Sequence, residues 1–559
     1  MAKSLTSHDL LPRWTARAVT TLSGRDPMGL SRVAHKLTDG LMTGIITTTD
    51  RARYYSFYTW CLWHIEKHEK PGKYDDFVAA FQRRQMAMTL ASLLVKRDMS
   101  LIGKRVVGKM VERFDEKDTV DTERSVLPSN PLGGYGQNYR GCLYSLGLYQ
   151  TIEGGIDTIS GSKAEEIARE FHSQIIRSPY ILEELFSQNK IPTKSLKQSA
   201  EVLSMSSLES DSAKNERQLL VDLFWGNGQS GSPADQRTTL RKASLALLFW
   251  VLERYRAAGI TVDPDNLTRQ VIYGPCYHGV LIDVSADQWA VKKLDMDPLL
   301  RQVSLWWRQF ALHNYLAYAL ESLLSAVLDL AAMIPGGRTI DDIISDLIGD
   351  GFHETLKSLT GHPCDAPSQL IASYEDAAQS IADIDRDRIG ARPFLDPGSE
   401  ELIWEFDPPQ SSPAIKAAQS CATLAALHAR WSTSTDPAYE DCRRMADEDL
   451  WIGAIIPQIS DWGDSSSWMD SIRQLIVNTI CVHHDRIMYE KNSLEACWIR
   501  KNGSLYVEEQ PLDPTWRASR LWQTATIMSD LGLLSIKDQA LSVTSEGRRQ
   551  LQQALGSMS

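Results

Sequence analysis

A long helical period in the middle of the chain constrains its fold more than any other feature. From Arg301 to Ile334, apolar residues recur at spacings of three and four, as in a helix with a buried face. The same period begins at Asp75 and again at Ala234, whereas the alternation that is typical of strands is rare. No repeat of fixed length indicates a solenoid. The sequence therefore predicts a mainly α fold.

The most apolar part of this period, from Phe310 to Ile334, is long enough to cross a membrane. It contains His313, Glu321 and Asp329, and such side chains are costly inside a bilayer. We therefore interpret it as a buried helix and expect no membrane association. The N-terminus lacks the apolar run of a secretory signal, which predicts a cytoplasmic protein.

The cysteine pattern also indicates a reducing compartment. The 8 cysteines are scattered, and no pair has the C-x-x-C spacing of a zinc ribbon. Neither a disulfide framework nor a structural zinc site is predicted. We expect no cofactor.

Charge is distributed unevenly along the chain. The formal net charge is −12, but residues 1–115 contain 19 Lys and Arg against 11 Asp and Glu, a balance of +8 that leaves −20 for the remainder. A basic first segment attached to an acidic body is compatible with a localised anion-binding face. The alternative is a solvated surface with uneven charge.

The stretch TTTDRARYYSFYTW combines two arginines with five aromatic side chains. Thr49 or Asp50 is suitable as the N-cap of a helix that continues to about Glu69, and because this helix is apolar nearly all round we expect it to be buried. Arg51 and Arg53 lie in its first turn, where the helix dipole disfavours positive charge. Either internal carboxylates pair with them, or an external anion such as a phosphate binds at the helix start.

A second unusual stretch, PLGGYGQNYRGCLYSLGLYQ, begins at Pro131 and is rich in glycine, which allows close backbone approach. Gln137, Tyr139 and Arg140 add hydrogen-bonding and stacking groups. The stretch lacks the Gly-Lys-Ser/Thr end of a phosphate-binding P-loop, so nucleotide hydrolysis is not predicted. It is either part of a binding site or a loop that packs tightly against the first helix.

The C-terminal part begins with a predicted helix and hairpin. Ser467 and Asp470 have the spacing of a capping box, which predicts a helix start. Downstream, Asn502-Gly503 lies between alternating residues, and this dipeptide favours the left-handed turn of a two-residue hairpin.

A second helix and hairpin follow. Asp513 and Pro514 are suitable as the cap and first-turn proline of a helix that Gly532 ends. A hairpin over LLSIKDQALSVT and a helix from Ser545 come next. This order resembles the helix, wing and closing helix of winged-helix domains, and the resemblance covers about 464–556. Winged helices are known both for DNA binding and for protein contacts, so the resemblance implies either role.

One face of the second C-terminal helix is predicted to be polar. Arg517, Arg520 and Thr524 recur at spacings of three and seven. The opposite face is apolar and comprises Ala518, Leu521, Ala525 and Met528. The polar face fits a major groove of DNA, and the alternatives are protein contact or plain packing. The predicted nucleic-acid contacts of this part are Lys501, Arg517 and Arg520.

Two of these stretches resemble sequences of a known group. TDRARYYSFYTW, from Thr49 to Trp60, resembles the Thr-x-Arg-Ala-Arg-Tyr-x-x-Phe-x-x-Trp signature of large uncharacterised proteins encoded in bacterial anti-phage defence islands beside helicases and nucleases. GQNYRGCL, from Gly136 to Leu143, is similar to a second, looser signature of that group. The resemblance implies a subunit of a multi-gene anti-phage system, with a helicase or nuclease as a partner. It implies no known activity.

We call the helix that begins in the first of these stretches the signature helix. Proline and glycine clusters predict a multi-domain helical bundle with a C-terminal winged-helix (α+β) domain. Its four regions are a basic N-terminal helical domain with the signature helix (1–130), a central helical domain (131–400), an acidic helical connector (401–463) and a winged-helix-like domain (464–559).

No catalytic or metal-binding set is predicted. His64 and His68 have a workable metal-ligand spacing, but Glu66 is not where a metalloprotease needs its glutamate. His483 and His484 are consecutive on a predicted helix and therefore point in different directions.

Cys276 and His278 lie two residues apart and would point the same way in an extended segment, as a thiol and its base must. This arrangement is permissible but uninformative. A metal-dependent nuclease site assembled from distant residues is the rival interpretation, because spacing does not reveal such a site.

The sequence thus predicts a non-catalytic scaffold that helps to recognise DNA as a subunit of an anti-phage defence complex. The alternatives are a metal-dependent nuclease effector and a pure protein–protein assembly subunit. The predicted nucleic-acid contacts are Arg51, Arg53, Gln137, Tyr139, Arg140, Lys501, Arg517 and Arg520. Partner identity and oligomeric state are left open.

Overall fold

The computed structural model describes residues 26–96, 100–227, 234–283, 290–334, 337–383, 412–432, 440, 450–464, 467–491, 500–501, 505–506 and 513–558. Helices account for 71% of the structure and strands for 6%. The predicted mainly α class is therefore confirmed.

The helices of the described residues are numbered in chain order. They are α1 (Leu30–Leu41), α2 (Arg53–His68), α3 (Tyr74–Val95), α4 (Lys104–Val111), α5 (Arg140–Ser145), α6 (Gly161–Ile175), α7 (Pro179–Leu182), α8 (Thr193–Leu203), α9 (Lys214–Trp225), α10 (Ala234–Ala258), α11 (Arg301–Ala332), α12 (Ile340–Leu347), α13 (Asp350–Thr360), α14 (Pro367–Asp383), α15 (Pro413–Trp431), α16 (Ile452–Ser460), α17 (Trp468–Gln474), α18 (Val482–Lys491), α19 (Leu521–Asp530) and α20 (Ser545–Met558).

Wider and tighter helical turns adjoin several of these helices. The π-helical segments are Tyr135–Tyr139, Arg269–His278 and Leu475–Cys481. The 3-10 turns are Phe114–Glu116, Glu153–Gly155, Leu185–Ser187, Met205–Glu209, Asp211–Ala213, Pro264–Asn266, Pro298–Leu300 and Asp461–Asp464.

The strands form antiparallel pairs. These pairs are β1 (Thr119–Asp121) with β4 (Lys190–Pro192), β2 (Tyr149–Thr151) with β3 (Asp157–Ile159), β5 (Val280–Asp283) with β6 (Ala290–Lys293), β7 (Arg500–Lys501) with β8 (Leu505–Tyr506), and β9 (Leu534–Lys537) with β10 (Ala540–Val543). Two-stranded sheets this short are not stable alone, so packing against helices must support them.

The described residues fall into two compact units. The first unit comprises those within Met1–Leu37 and Arg269–Arg517, and the second comprises those within Thr38–Thr268 and Ala518–Ser559. These boundaries differ from the four predicted regions: the predicted 464–559 domain is divided at 517/518. The reason is that the C-terminal residues pack on α10, and the Leu541 N–H donates at 3.0 Å to the carbonyl oxygen of Val262, which follows that helix.

In the first unit, α11 forms the core and packs along α15. With the turn before it, α11 is long and apolar enough to cross a membrane, but most of it is buried inside the protein. The three ionisable residues of the apolar stretch from Phe310 have internal partners. Asp329 pairs with Lys416 at 3.0 Å, Glu321 pairs with Arg517, and His313 Nε2 lies 2.7 Å from a backbone carbonyl oxygen. The interpretation of this stretch as a buried helix is confirmed.

In the second unit, α2 forms part of the core, beside α3, α6 and α9. Its aromatic residues are buried, as predicted, and Trp60 and Phe57 lie 5.3 and 5.8 Å from the ring of Phe171 on α6. The predicted N-cap is wrong. Ala52 occupies that position without a local side-chain cap, because the hydroxyl of Thr49 bonds instead to Ile46.

At the start of the C-terminal part, the predicted helix start at Ser467 is confirmed. The Asp470 N–H donates to Ser467 Oγ at 3.2 Å where α17 begins. The predicted two-residue hairpin falls partly on residues 502–504, which lie outside the described residues. The flanking strands pair Lys501 with Leu505, so three residues rather than two separate the last pair.

The helix predicted from Asp513 begins only at Leu521. The reason is that side chains of α11 bond to the backbone before Leu521. The N–H groups of Thr515 and Arg517 donate to Glu321 Oε2 and to Asn314 Oδ1, respectively.

The rest of the C-terminal order is as predicted. Gly532, with φ of 76°, ends α19, and β9 and β10 form the second hairpin. Asp538 and Gln539 both have positive φ at its turn, which matches the right-handed twist of the strands. The last helix begins at Ser545.

Gly547, in the first turn of α20, lies against the chain that leads into β9. A Cβ at this position would collide with the carbonyl oxygen of Leu533 and would lie 2.8 Å from Val543. We predict that Gly547→Ala lowers the free energy of unfolding by about 1–3 kcal/mol, because the backbone must move to admit the methyl group. Chemical denaturation followed by circular dichroism measures this change.

The matched control is Gly556→Ala, in the last turn of the same helix, where an added Cβ meets no atom within 4 Å. The helix propensity of alanine should leave this variant unchanged or more stable, by up to about 1 kcal/mol. Equal stabilities of the two variants would contradict the close packing at Gly547.

Candidate nucleic-acid interface

Arg53, the second arginine of the signature helix, is buried, and its side chain is only 1% exposed. Its Nε donates to Glu216 Oε1 at 3.3 Å, and its Nη2 donates to Gln174 Oε1 at 3.1 Å. Its Nη1 donates to the carbonyl oxygens of Val202 and Ser204. Internal partners therefore surround the guanidinium, and the structure places Arg53 out of reach of an external phosphate.

Glu216, on α9, balances this buried positive charge. It also accepts hydrogen bonds from the Ser56 hydroxyl and, at 2.8 Å, from Gln174 Nε2. Arg53 and Ser56 are three residues apart and so share a face of α2. A buried ion pair needs such complete hydrogen bonding, since desolvation of the two charges otherwise exceeds their attraction.

Arg51 lies before α2, and its side chain is 27% exposed. Its Nη1 donates to Asp530 Oδ1 at 2.9 Å, while the Ala52 N–H donates to Oδ2 at 3.0 Å. Asp530, at the end of α19, thus caps α2, and its charge offsets the unfavourable position of Arg51 at a helix start. Burial raises the pKa of Asp530 to about 6, although Arg51 and Ala52 lower it. Arg51 therefore also has an internal carboxylate.

Tyr139 is fully buried among the rings of the signature helix. Its ring centroid lies 5.0 Å from that of Tyr54 and 5.2 Å from that of Tyr58. The glycines of its stretch permit this packing, because a Cβ at Gly134 would lie 2.7 Å from the Tyr58 hydroxyl. Of the two alternatives for this stretch, tight packing against the first helix describes Tyr139.

Arg140 and Gln137 differ from Tyr139 because both reach the surface. The Arg140 side chain is 40% exposed, and its Nε and Nη2 donate to the two carboxylate oxygens of Asp157 at 2.8 and 3.0 Å. Gln137 is exposed. Of the predicted nucleic-acid contacts whose side chains are described, Gln137 and Arg140 are the most exposed.

The predicted C-terminal contacts are mostly internal. Arg517 precedes α19 and pairs with Glu321, with 7% of its side chain exposed. Arg520, 6% exposed, bonds to Asp39 at 2.7 Å and to a backbone carbonyl oxygen. Thr524 is fully buried, so the expected polar face does not exist on the surface of α19. Lys501 lies in β7, and its side chain lies outside the described residues.

Sequence reasoning missed the exposed cations of α4. The helix begins after Gly103, which has φ of 79°, and it buries Val107 and Val111. Its exposed cations and the one that follows it are Lys104, Arg105, Lys109 and Arg113. Among the described residues, no carboxylate lies within ion-pair distance of the last three. The signal was present in KRVVGKMVER, but the summed charge of residues 1–115 concealed it.

His64 packs inside the fold, and the exposed His68 covers it. His64 is buried, its Nδ1 lies 2.9 Å from Arg84 Nη2, and its ring stacks on His68 at 4.2 Å. Burial and the neighbouring Arg84 lower the pKa of His64 far below its usual value. Within the part of the chain that the structure describes, no group of three or more potential ligands is arranged to hold a metal ion.

Pairing of Cys276 with His278 requires an extended segment, and the structure does not place Cys276 in one. Both residues are in the π-helical segment Arg269–His278, and the thiol is buried beside the carbonyl oxygen of Val271. Burial raises the pKa of Cys276 to about 12, which disfavours the thiolate that a nucleophile needs.

No known family, curated protein or solved structure matches the chain.

We predict that Glu216→Gln lowers the free energy of unfolding by about 3–5 kcal/mol, because it leaves Arg53 buried without a countercharge. Urea denaturation measures this change. The matched control is Glu165→Gln, which removes the same charge from an exposed pair with Arg169 on α6. That variant should lose about 0.5 kcal/mol or less. Similar losses of unfolding free energy in both variants would show that the buried ion pair does not contribute more to stability than the exposed one.

Asp530 should make stability depend on pH. Its pKa is about 6 in the folded chain, against an ordinary value of 3.8, so the folded chain binds this proton more tightly than the unfolded chain does. Its contribution to stability therefore falls as pH rises from about 4 to about 6, by up to about 3 kcal/mol.

The measurement is the difference in free energy of unfolding between the unaltered protein and Asp530→Asn, taken from pH 4 to pH 7. We expect this difference to fall with rising pH. Asp538→Asn, at an exposed turn position, is the control and should show no such trend. A difference that is constant or rises with pH would be inconsistent with a buried carboxyl at this position.

Proposed function

We propose that this protein is a non-catalytic scaffold and DNA-recognition subunit of a multi-protein bacterial anti-phage defence system. The observation that carries the DNA-binding part is the row of exposed cations on and after α4. Phosphate contacts from lysine and arginine provide most of the affinity of sequence-independent DNA binding. The proposal therefore assigns DNA contact to α4 and not to the inward-facing arginines of the signature helix.

The position of α4 supports this assignment. Ile102, just before α4, packs against Gly134, where an added Cβ would approach it to 2.8 Å. Since Gly134 leads directly into Tyr135–Tyr139 and α5, the two helical segments start beside each other in the second unit. Chain reach then places Gln137 within roughly 25 Å of Arg105. The exposed cations and the exposed predicted contacts are thus close enough to engage one DNA molecule.

The C-terminal order of α19, β9, β10 and α20 supports the assignment of a winged-helix-like part. Its predicted groove-binding side chains, Arg520 and Thr524, are buried. We therefore assign this part to packing and assembly. The defence role and a helicase or nuclease partner rest on the resemblance of the stretch from Thr49 to Trp60, and a cytoplasmic location accords with them.

The alternative of a pure assembly subunit has one observation in its favour. Val477, Val482 and Tyr489 are 36%, 52% and 62% exposed along the helical run that ends in α18. Apolar surface of this kind is often used for protein contacts. For the nuclease alternative, cleavage of a plasmid in the presence of magnesium or manganese would be the supporting result.

We predict that replacing the four cations of α4 and its end by glutamine weakens duplex DNA binding. If each contacts one phosphate, the slope of log affinity against log salt should decrease by about 3–4, since each contact contributes about 0.9. Fluorescence anisotropy with a labelled duplex at several salt concentrations measures the slope. The replaced residues are Lys104, Arg105, Lys109 and Arg113.

A matched control replaces the same number of exposed cations elsewhere in the second unit. These are Arg169, Arg177, Lys214 and Lys537. The control should keep the slope of the unaltered protein. Absence of DNA binding by the unaltered protein would refute DNA recognition and leave the assembly role, while equal slopes in the two variants would refute the assignment to α4.

A further inference from the structure

The helical run from Tyr135 through α5 has one face directed to solvent. Arg140 and Tyr144 are four residues apart on α5 and so share one side of that helix, with Gly141 between them, and Gln137 precedes them in the π-helical segment. All four are exposed or half-exposed, whereas Tyr139 and its neighbours on the opposite side are buried. We call this set of four residues the Tyr144 face.

Arg140 is held rigidly on the Tyr144 face. Asp157, whose side chain has no exposed surface, accepts hydrogen bonds from its Nε and Nη2 and also from the Tyr135 hydroxyl at 2.9 Å. Thr151 donates to the same carboxylate at 2.6 Å. Arg140 Nη2 also donates to the Thr151 hydroxyl at 3.4 Å, and the guanidinium carbon lies 5.9 Å from the ring centroid of Tyr149, while the hydrogen bonds to Asp157 and Thr151 leave the Nη1 protons unused. The arginine therefore presents an oriented pair of donors while its other side is fixed.

Tyr144 is 68% exposed, more than Tyr489 or Tyr74, the other highly exposed tyrosines of the described residues. One edge of its ring rests on Tyr149, with ring centroids 5.8 Å apart at 60°. Gly141, one turn earlier, has no atom within 4 Å of the position where a Cβ would lie. The surface between Arg140 and Tyr144 is therefore open.

We infer that the Tyr144 face binds an unpaired nucleobase of single-stranded DNA. The base stacks on the ring of Tyr144, Arg140 Nη1 donates to the adjoining phosphate, and the Gln137 amide bonds the base edge. This inference rests on the proposed DNA-binding function and adds the strand state of the ligand. A paired base has both faces covered by its neighbours in the duplex, so only an unpaired base can stack on an exposed protein ring.

The test compares labelled single-stranded and duplex DNA of equal length by fluorescence anisotropy. Tyr144→Ala should weaken single-strand binding roughly 5- to 100-fold, the loss expected for one base–aromatic stack. Duplex binding and the salt slope should stay unchanged, because stacking releases no counterions. Tyr144→Phe keeps the ring and should retain single-strand affinity.

Tyr489→Ala is the matched control, because it removes another highly exposed tyrosine, 62% exposed, from the first unit. It should leave single-strand affinity unchanged. Unchanged single-strand affinity in Tyr144→Ala, together with weakened duplex binding in the α4 variant, would overturn this inference and leave the proposed function standing. No binding of either DNA by the unaltered protein would overturn both.

Discussion

The buried ion pair between Arg53 and Glu216 is the interaction on which the second unit depends. A guanidinium in a protein core is tolerated only when every polar neighbour is placed to receive its hydrogen bonds. Here those neighbours come from separate elements: Glu216 from α9, Gln174 from α6, and carbonyl oxygens from the end of α8 and the residue after it. The Arg53 side chain therefore fixes the relative positions of α2, α6, α8 and α9. A shift of any of these helices would leave a buried charge without its hydrogen-bond partner.

The same logic gives the stretch from Thr49 to Trp60 a structural meaning. Arg51 bonds to Asp530, Ser56 bonds to Glu216, and the Tyr55 hydroxyl donates to the Gly44 carbonyl oxygen at 2.7 Å. Its polar groups thus hold the fold together from inside. Under the proposed function, DNA contact is assigned instead to α4 and the Tyr144 face. The proposal thus assigns interior packing and ligand binding to different segments of one unit.

Local sequence patterns predicted the features that local physics decides. The helical period identified α2 and α11 as buried, and short-range hydrogen bonding identified the cap at Ser467. The misses came from distant partners. Arg51 meets a carboxylate 479 residues away, and no spacing rule contains that information. The helix expected at Asp513 begins later for the same reason, because distant side chains of α11 bond to the backbone of its expected first turns. For α4, the cluster of cations is visible in the local sequence. The net charge of the longer segment 1–115 concealed it, because that sum does not show where the cations lie.

The capping of α2 by Asp530 has a consequence for protein synthesis. The ribosome translates the signature helix early, yet the carboxylate that satisfies its first amide belongs to a residue translated hundreds of codons later. Until then, the start of α2 and the α10 surface that receives the C-terminal hairpin are without their native partners. Nascent chains of this protein thus have a long interval in which chaperones can bind these regions, and a premature stop codon before residue 530 would leave the second unit permanently incomplete.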